Sequence, residues 1–580
     1  MKKNNYYYLS GLILWAVLFL ATGYLPLTPV QRILLLIVTI LAIFISLKGV
    51  RAGLLQQLDK GSWIILVLIS LYAGFSCVGN RILLTHIQIK KIIFYLLFTV
   101  WIIPIEIAFL YITRSLRDKV LQFSQQRPPS MIPFSRLRSW FLFFSIPFAV
   151  GCIYLYAFFP GVMSNDSLSQ WGQAIGKYDL NDWHPIFHTL FNRLFITLYH
   201  SPASVAMAQI IFLSAVIAGF TVFLCRQGIP RKWVLFFVIL FSLLPQLGIY
   251  SVTLWKDVPF TASLLWLTLV LTRIVTDSGY LRKPVNGLQL TITLVAVALF
   301  RHNGLLAYGL LAAALALYLY KRKYVSGWIY LALSVVLTVG YNLFILSRPG
   351  IIPIPKAIKL EAPIHGIAAV MSEEYPLPPG VNKEMESILP RKTWLNSFSP
   401  YSAESYQFKT DGVFIDRLSR FSTTEVLQMY GATFIRHPVI LTKDRLNGVD
   451  FIWDLTRPEF AFNSLYNTGL EPNPFGLVQK AHHPLRDALK SYLAFSEEID
   501  TIFIWRVALY TILLMLTLLL VRMEKRGIKE FLLIFAPLIS CILSLLPSML
   551  LQEYRYVYFI FFLFGFLWLL VISNTKVNSD

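Results

Sequence analysis

The first segment that could do chemistry reads FFPGVMSNDSLSQW and contains Asp166 close to the end of an apolar run. A carboxylate there would be partly desolvated, and desolvation raises a carboxyl pKa toward the range useful for a general base. A simpler interpretation is that Asp166 caps a helix, in which Ser164 or Asn165 also fits the N-cap position. The sequence leaves both interpretations open.

Two histidines follow in NDWHPIFHTLF, where His184 and His188 are four residues apart and Asp182 precedes them. On a helix this spacing would put both imidazoles on one face, as a metal pair requires. The motif HPxxH, however, lacks the glutamate of the HExxH proteases. We therefore expect a substrate hydrogen bond or an ordinary loop-to-helix junction here, and a metal site is the less favoured alternative.

Charged residues recur at the ends of three later apolar runs. They are Lys256 and Asp257 in SVTLWKDVPF, Arg301 and Asn303 in FRHNGLLA, and Glu553 and Arg555 in LLQEYRYVYF. Neighbouring opposite charges could simply pair or snorkel, but ionisable groups at membrane depth are costly and are functional candidates by default. Because Arg and Lys form charge-assisted hydrogen bonds with phosphate, these residues and Asp166 suit a membrane-anchored phosphate ester.

The composition shows which solvent surrounds these residues. Of 580 residues, 56% are hydrophobic and 14% are charged, and the mean hydropathy is +0.63, which is too apolar for a soluble chain of this length. The net charge of +21 does not indicate a nucleic-acid partner, because Lys and Arg fall in short loops rather than on one basic face. The bilayer is the main solvent, and no nucleic acid is expected.

The four cysteines lie in or beside apolar segments, and none belongs to a CxxC or Cys/His cluster. We therefore expect no disulfide framework and no zinc site. Separately, no cofactor is expected, and a divalent metal ion is the less favoured alternative.

The elements that must position the polar residues are transmembrane helices, each of which needs roughly 20 mostly apolar residues. The segments that meet this length are 8–27, 33–49, 63–80, 92–112, 139–159, 204–224, 233–250, 257–274, 287–301, 303–320, 328–347, 502–521, 531–550 and 555–573. The sequence thus predicts an all-α polytopic membrane protein with about fourteen transmembrane helices. The segment 287–301 is short for a span.

The orientation follows from the bias of Lys and Arg toward cytoplasmic loops. The basic loops place both termini in the cytoplasm and all of the polar clusters above outside it. One outer loop, with Arg81, Lys90 and Lys91, disagrees, so the order of the third and fourth spans is the weakest part of this topology.

The long interruption at 349–501 predicts one mixed, mainly helical extracytoplasmic domain. Its segment from Glu425 to Leu455 has a helical, amphipathic pattern that is broken at Pro438, and PLPPGVNKEMESILP reads as a loop around a short helix. His365 and the aromatic-rich stretch after residue 391 are candidates for recognising an acceptor.

The motifs PGVMSNDSLSQW, NDWHPIFHTL, LWKD, RHNG and EYRY together resemble bacterial members of the GT-C superfamily of membrane glycosyltransferases, of the protein O-mannosyltransferase and aminoarabinose transferase type. The resemblance runs from about residue 139 to the end. It implies four regions: an N-terminal four-helix transmembrane module (1–138), a GT-C-like core (139–348) with a catalytic first outer loop (160–203), the extracytoplasmic domain (349–501) and C-terminal helices (502–580).

The resemblance implies transfer of a sugar from a polyprenyl-phosphate donor to an extracytoplasmic glycan, lipid or protein in the bacterial cell membrane. Asp166 would be the general base, and Lys256, Arg301 and Arg555 would contact the donor phosphate. Some members carry an Asp-Glu pair where this chain has Asp166-Ser167, so a metal-dependent mechanism is not favoured.

Two other classes stay open. A polyprenyl-linked lipid flippase or secondary transporter would carry ionisable residues or helix breaks near the middle of several spans. A scaffold or sensor of envelope assembly would explain the outer domain but not the polar clusters.

Overall fold

The computed structural model describes residues 29–83, 89–126, 136–455, 463–479, 483–499 and 504–577, and it is mostly helical. In this part of the chain nine helices are long and apolar enough to cross a membrane, or ten if one bent pair counts as a single span. Three further apolar helices are shorter. The protein is therefore a multi-pass helical membrane protein, and the predicted span 8–27 lies outside the described residues.

The helices before the outer domain follow the apolar runs, because a lipid-exposed backbone must satisfy its own hydrogen bonds. They are α1 (Pro29–Arg51), α2 (Lys60–Leu83), α3 (Ile89–Gln126), α4 (Arg136–Ala157), α5 (Asn165–Ala174), α6 (Ile186–Ile196), α7 (Pro202–Arg226), α8 (Arg231–Leu243), α9 (Pro245–Val252), α10 (Asp257–Thr276), α11 (Pro284–Leu299), α12 (Gly304–Arg322) and α13 (Val325–Tyr341). Among these, α5 and α6 belong to the first outer loop.

The predicted span over 233–250 is bent, because the chain forms α8 and α9 with an angle of 60° between them. The break lies at Leu244 and Pro245. Proline has no backbone N–H and disfavours helical geometry in the preceding residue, so the first helix ends before it and a new one begins. The segment predicted to be short, 287–301, is α11, whose 16 residues fall below a full span.

Nine helices lie in the described part of the interruption 349–501, which we call the outer domain after the location that the sequence predicts for it. They are α14 (Lys356–Ser372), α15 (Val381–Ile388), α16 (Arg391–Ser397), α17 (Ser405–Lys409), α18 (Val413–Leu418), α19 (Thr423–Arg436), α20 (Pro438–Gly448), α21 (Asp450–Trp453) and α22 (Pro484–Ile499). The predicted break at Pro438 is confirmed, as is the short helix at 381–388. Trp394 and Phe414 are fully buried beside α14 in the core of this domain.

The chain closes with α23 (Val507–Met523), α24 (Ile528–Ser548) and α25 (Tyr558–Ile572). The N-terminal helices pack on them. The Trp568 indole of α25 donates to Thr113 Oγ1 of α3 at 3.0 Å, and Arg117 forms an ion pair with Glu524 at 2.6 Å. Helix α3 is therefore joined to the C-terminal helices through side-chain contacts.

The two ends of the helices carry different loops. At one end of the antiparallel pair α12 and α24, Asn303 donates to Ser544 at 2.9 Å, and at the other end Arg322 pairs with Glu530 at 2.8 Å. The end with Arg322 also holds the basic side chains of Lys321, Arg522 and Lys525. Ser76, in the C-terminal half of α2, accepts a backbone hydrogen bond from Leu455, so this part of α2 lies against the segment that follows α21.

Two short parallel ladders tie the outer loops to the outer domain. Strand β1 (Leu180–Asn181) pairs with β2 (Ile351–Ile352), and β3 (Asn463–Ser464) pairs with β4 (Gln552–Glu553). These ladders hold loops that are far apart in sequence against one domain.

Candidate functional site

Asp166 lies in the first turn of α5, where a carboxylate is favoured by the helix dipole. The helix begins after Ser164, whose backbone is extended and whose side chain makes no capping hydrogen bond. The carboxylate of Asp166 contacts Arg555 and His184. The interpretation of Asp166 as a helix cap is therefore wrong.

The segment before α5 is held from two sides. Val162 accepts a backbone hydrogen bond from Leu254 and donates one to Val252, each at 3.0 Å. Met163 donates to the carbonyl of Gly469 in the outer domain at 3.1 Å. This pairing fixes the start of α5 beside the segment that carries Lys256.

Four side chains from three outer loops meet in one chain of contacts. Arg555 Nη1 donates to Asp166 Oδ2 at 2.7 Å, and His184 Nε2 lies 3.5 Å from Asp166 Oδ1. Lys256 Nζ donates to His184 Nδ1 at 3.0 Å. Although the side chains of His184 and Arg555 are buried, 33% of the Asp166 side chain is exposed. Part of the Asp166 side chain is therefore open to a substrate.

The charge state of Asp166 differs from the sequence expectation. Burial opposes its ionisation, but the Arg555 guanidinium, with His184 and Lys256, holds the pKa of the carboxyl well below its usual range. The predicted increase in the pKa of Asp166 is thus wrong, because the ion pair outweighs desolvation. Asp166 is ionised at neutral pH.

His184 is neutral at the same pH. Burial lowers its pKa, and the adjacent Lys256 ammonium lowers it further. Because Lys256 donates to Nδ1, the ring proton belongs on Nε2, which faces Asp166. Burial also lowers the pKa of Lys256, while Asp257 and Asp166 oppose this effect.

A second ion pair, between Arg301 and Asp257, is buried. Arg301 Nη1 contacts Asp257 Oδ1 at 2.6 Å, and the two side chains are only 6% and 1% exposed. Asn303 Oδ1 accepts from Arg301 Nε at 3.0 Å, and the guanidinium lies 4.9 Å from the Tyr556 ring centroid. This pair joins the N-terminal ends of α10 and α12. The cations nearest the Asp166 carboxylate are Lys256 and Arg555.

The remaining predicted residues surround these contacts. Glu553 forms an ion pair with Arg555 and lies in β4. His188 is fully buried and its Nδ1 contacts Gln170 Oε1 at 2.9 Å. Since α6 begins at Ile186, His184 precedes the helix and the two histidines do not share a helix face. In the described ranges no group of three His, Cys, Asp or Glu side chains could hold a metal ion.

The sequence interpretation missed Glu404, which the outer domain contributes. Ala403 donates a backbone hydrogen bond to the carbonyl of Leu550 at 2.7 Å, so this segment lies against the last outer loop. Glu404 interacts electrostatically with Glu553, Arg555, Asp166 and Lys256. Burial, with the neighbouring carboxylates, raises its pKa to about 7. The surrounding SPYSAESYQF matches no motif, so no sequence signal could single Glu404 out.

His365 takes no part in this site. Its Nδ1 contacts Asp444 Oδ1 at 2.7 Å and its Nε2 contacts the carbonyl oxygen of Ser399 at 2.8 Å, both inside the outer domain. Two other aromatic residues of the outer domain, Trp394 and Tyr406, are likewise core side chains.

The site combines two cations, an ionised carboxylate and a neutral imidazole where the outer loops meet the membrane helices. Such a set can bind a phosphate group and hold a hydroxyl beside it. The chain matches no family model, no curated protein and no solved structure. A function therefore has to rest on the chemistry of these side chains.

Proposed function

We propose that this protein is an integral membrane glycosyltransferase that moves a sugar from a polyprenyl-phosphate donor to an extracytoplasmic acceptor in the cell envelope. The observation that carries this proposal is the partly exposed Asp166 carboxylate beside Arg555 and Lys256. A lipid-linked phosphate would present its charge at this depth, where guanidinium and ammonium groups bind it strongly. The donor itself is a membrane lipid, and no nucleotide is needed.

The proposed reaction is a displacement at the anomeric carbon of the donor sugar. The acceptor oxygen forms a bond to this carbon while the bond from carbon to phosphate oxygen breaks, and the phosphate keeps the electron pair. Lys256 and Arg555 stabilise the charge that develops on the leaving phosphate, with Arg301 behind them. A carboxylate takes the acceptor proton, and from the sequence this residue is Asp166.

The proposal also includes the number of spans, the orientation of the termini and the role of the outer domain. We assign a GT-C-like arrangement with about fourteen spans, for which the ten candidate spans, the three shorter apolar helices and the segment 8–27 account. Both termini would be cytoplasmic, in a bacterial cell membrane. The outer domain would cover the site and recognise the acceptor.

Transport is the second candidate, because one observation favours it. Glu106 lies within the membrane-spanning helix α3, is 1% exposed and forms a hydrogen bond with Ser70 of α2. A carboxylate inside a span is typical of proton or ion pathways. A flippase would need Glu106 and would leave its lipid chemically intact.

The test compares envelope glycosylation in cells with wild-type protein, Asp166→Asn and Asp179→Asn at equal abundance. Asp179 is an exposed aspartate of the same outer loop and serves as the matched control. We expect Asp166→Asn to lower glycosylation by about a hundredfold or more, since the ion pair with Arg555 is lost, and Asp179→Asn to leave it unchanged.

Undiminished glycosylation with Asp166→Asn would remove Asp166 from the reaction. Loss of glycosylation with Glu106→Gln, together with full glycosylation by Asp166→Asn, would favour transport instead.

A further inference from the structure

We infer that Glu404 of the extracytoplasmic domain accepts the proton of the acceptor hydroxyl, and that Asp166 instead holds Arg555 in place for the leaving phosphate. This inference rests on the proposed transferase function and changes one assignment within it. The outer domain then contributes a catalytic residue in addition to covering the site.

Asp166 is poorly placed to take a proton because both of its oxygens are occupied. Oδ2 accepts from Arg555 at 2.7 Å and Oδ1 faces His184 Nε2 at 3.5 Å. Protonation of this carboxylate would break the ion pair that holds Arg555 just when the guanidinium must stabilise the leaving phosphate. The geometry therefore gives Asp166 a positioning role.

Glu404 has the opposite surroundings. It comes from the segment whose Ala403 pairs with Leu550, and the adjacent Ser402 forms an antiparallel bridge with Leu551. This contact brings its carboxyl group within electrostatic range of Asp166, Lys256 and Arg555. Within the described part of the chain no group donates a hydrogen bond to Glu404, so its oxygens are available to a substrate hydroxyl.

The carboxyl group of Glu361 adds to this environment. It is 1% exposed, both of its oxygens lack a hydrogen-bond partner among the described residues, and it interacts with Glu404. Low-dielectric surroundings favour the neutral form of both acids. A general base works best when its pKa lies near the working pH, and the pKa of Glu404 is raised to about 7.

The proton balance is simple. In the Glu404 carboxylate form, one oxygen takes the proton as the acceptor oxygen bonds to the anomeric carbon, and the phosphate departs with the electron pair of the broken bond. Polyprenyl phosphate, the glycosylated acceptor and protonated Glu404 result, and Glu404 then returns its proton to water. Below pH 7 the protonated form of Glu404 predominates and cannot act, so the rate falls as the pH falls.

The test uses the full-length protein in proteoliposomes made with lipid extracted from its own membranes, and the envelope fraction of the same cells is added as the source of the acceptor. Mass spectrometry follows the conversion of polyprenyl-phosphate sugar to polyprenyl phosphate from about pH 5 to about pH 9. We compare wild type, Glu404→Gln, Glu404→Asp, Asp166→Asn and Glu384→Gln, in which Glu384 is an exposed control residue of the outer domain.

We expect Glu404→Gln to lower kcat about a hundredfold or more, with an unchanged KM for the donor. The variant should also lose the acidic limb of the pH profile, which is the fall in rate below about pH 7. Glu404→Asp should keep that limb at a reduced kcat, which shows that the variant is folded. Asp166→Asn should keep the limb and raise the KM for the donor. Glu384→Gln should match wild type.

A Glu404→Gln variant with normal kcat and an intact acidic limb would overturn the inference and leave the transferase proposal standing. Loss of the limb in Asp166→Asn alone would return the proton-accepting role to Asp166. Wild-type protein that converts no donor at any pH would overturn the proposed function itself, and the inference with it.

Discussion

Asp166 and Arg555 form the central ion pair of the site from positions 389 residues apart in the chain. Arg555 also contacts Glu553 and lies 5.0 Å from the Trp255 ring centroid. These contacts orient the guanidinium through a carboxylate on one side and a ring face on another. An arginine held in this way can bind phosphate without losing further side-chain entropy.

The sequence was enough to predict the types of these residues and their location at the same end of the helices. It was not enough to predict which of them form pairs. Short motifs carry no information on which loops meet, so the buried Asp257–Arg301 pair and the contribution of Glu404 could not be read from them. The charge on Asp166 depends on the same pairing. Its predicted pKa shift had the wrong sign because desolvation was considered without Arg555.

The buried Asp257–Arg301 pair should contribute to the stability of the fold. Asp257→Asn leaves the Arg301 charge without its partner, and breaking a buried pair costs about 3–5 kcal/mol. We expect a markedly lower thermal unfolding midpoint of the purified protein in detergent. Asp179→Asn, at an exposed position, should unfold like wild type, and equal midpoints for the two variants would show that the pair adds little stability.

At the scale of elements, small residues let helices approach near the site. A Cβ atom on Gly248 of α9 would lie 2.3 Å from the Tyr154 ring of α4, whereas one on Gly309 of α12 would meet nothing within 4 Å. Because α9 leads into the segment with Lys256, this contact bears on the site as well as on packing.

The stability of Gly248→Ala and Gly309→Ala tests this close approach of α9 and α4. Overpacking against Tyr154 should destabilise the protein by about 1–3 kcal/mol and reduce donor conversion, because α9 must shift. Gly309→Ala should be neutral or slightly stabilising, since alanine favours helix more than glycine does. Unfolding midpoints and donor conversion check both variants, and a neutral Gly248→Ala would refute the close approach.

The helices themselves were largely predictable, because long apolar runs have no alternative in lipid. The break at Pro245 was not, since Pro104, Pro147 and Pro537 lie inside unbroken helices. Neighbouring helices can satisfy the backbone groups that a proline frees, so residue type alone does not decide whether a helix bends. The two ladders that join the outer loops to the outer domain depend on two-residue strands, which have no detectable sequence pattern.

For the whole molecule, the proposed topology puts the basic loops on one side and the site with the outer domain on the other. We predict that a membrane-impermeant maleimide labels Asp179→Cys and Glu384→Cys in intact cells and leaves Asp277→Cys and Lys525→Cys unlabelled. All four positions are exposed. The background would lack the four native cysteines, of which Cys77 and Cys541 are buried.

Permeabilised cells provide the control, in which all four positions should react. Labelling of Asp277→Cys or Lys525→Cys in intact cells would reverse the proposed sidedness and place the site in the cytoplasm.

In the proposed reaction Arg555 and Lys256 hold the phosphate that leaves when the sugar is transferred. We would follow the donor by mass spectrometry in proteoliposomes that contain the extracted native lipids, the envelope fraction as the source of the acceptor, and wild-type protein, Arg555→Gln or the exposed control Arg391→Gln. We predict that wild type and Arg391→Gln convert a polyprenyl-phosphate sugar to polyprenyl phosphate. Arg555→Gln should do so at a rate lower by about a hundredfold or more. A donor that stays chemically intact with wild-type protein would exclude the transferase, and equal conversion by Arg555→Gln would exclude Arg555 as a ligand of the leaving phosphate.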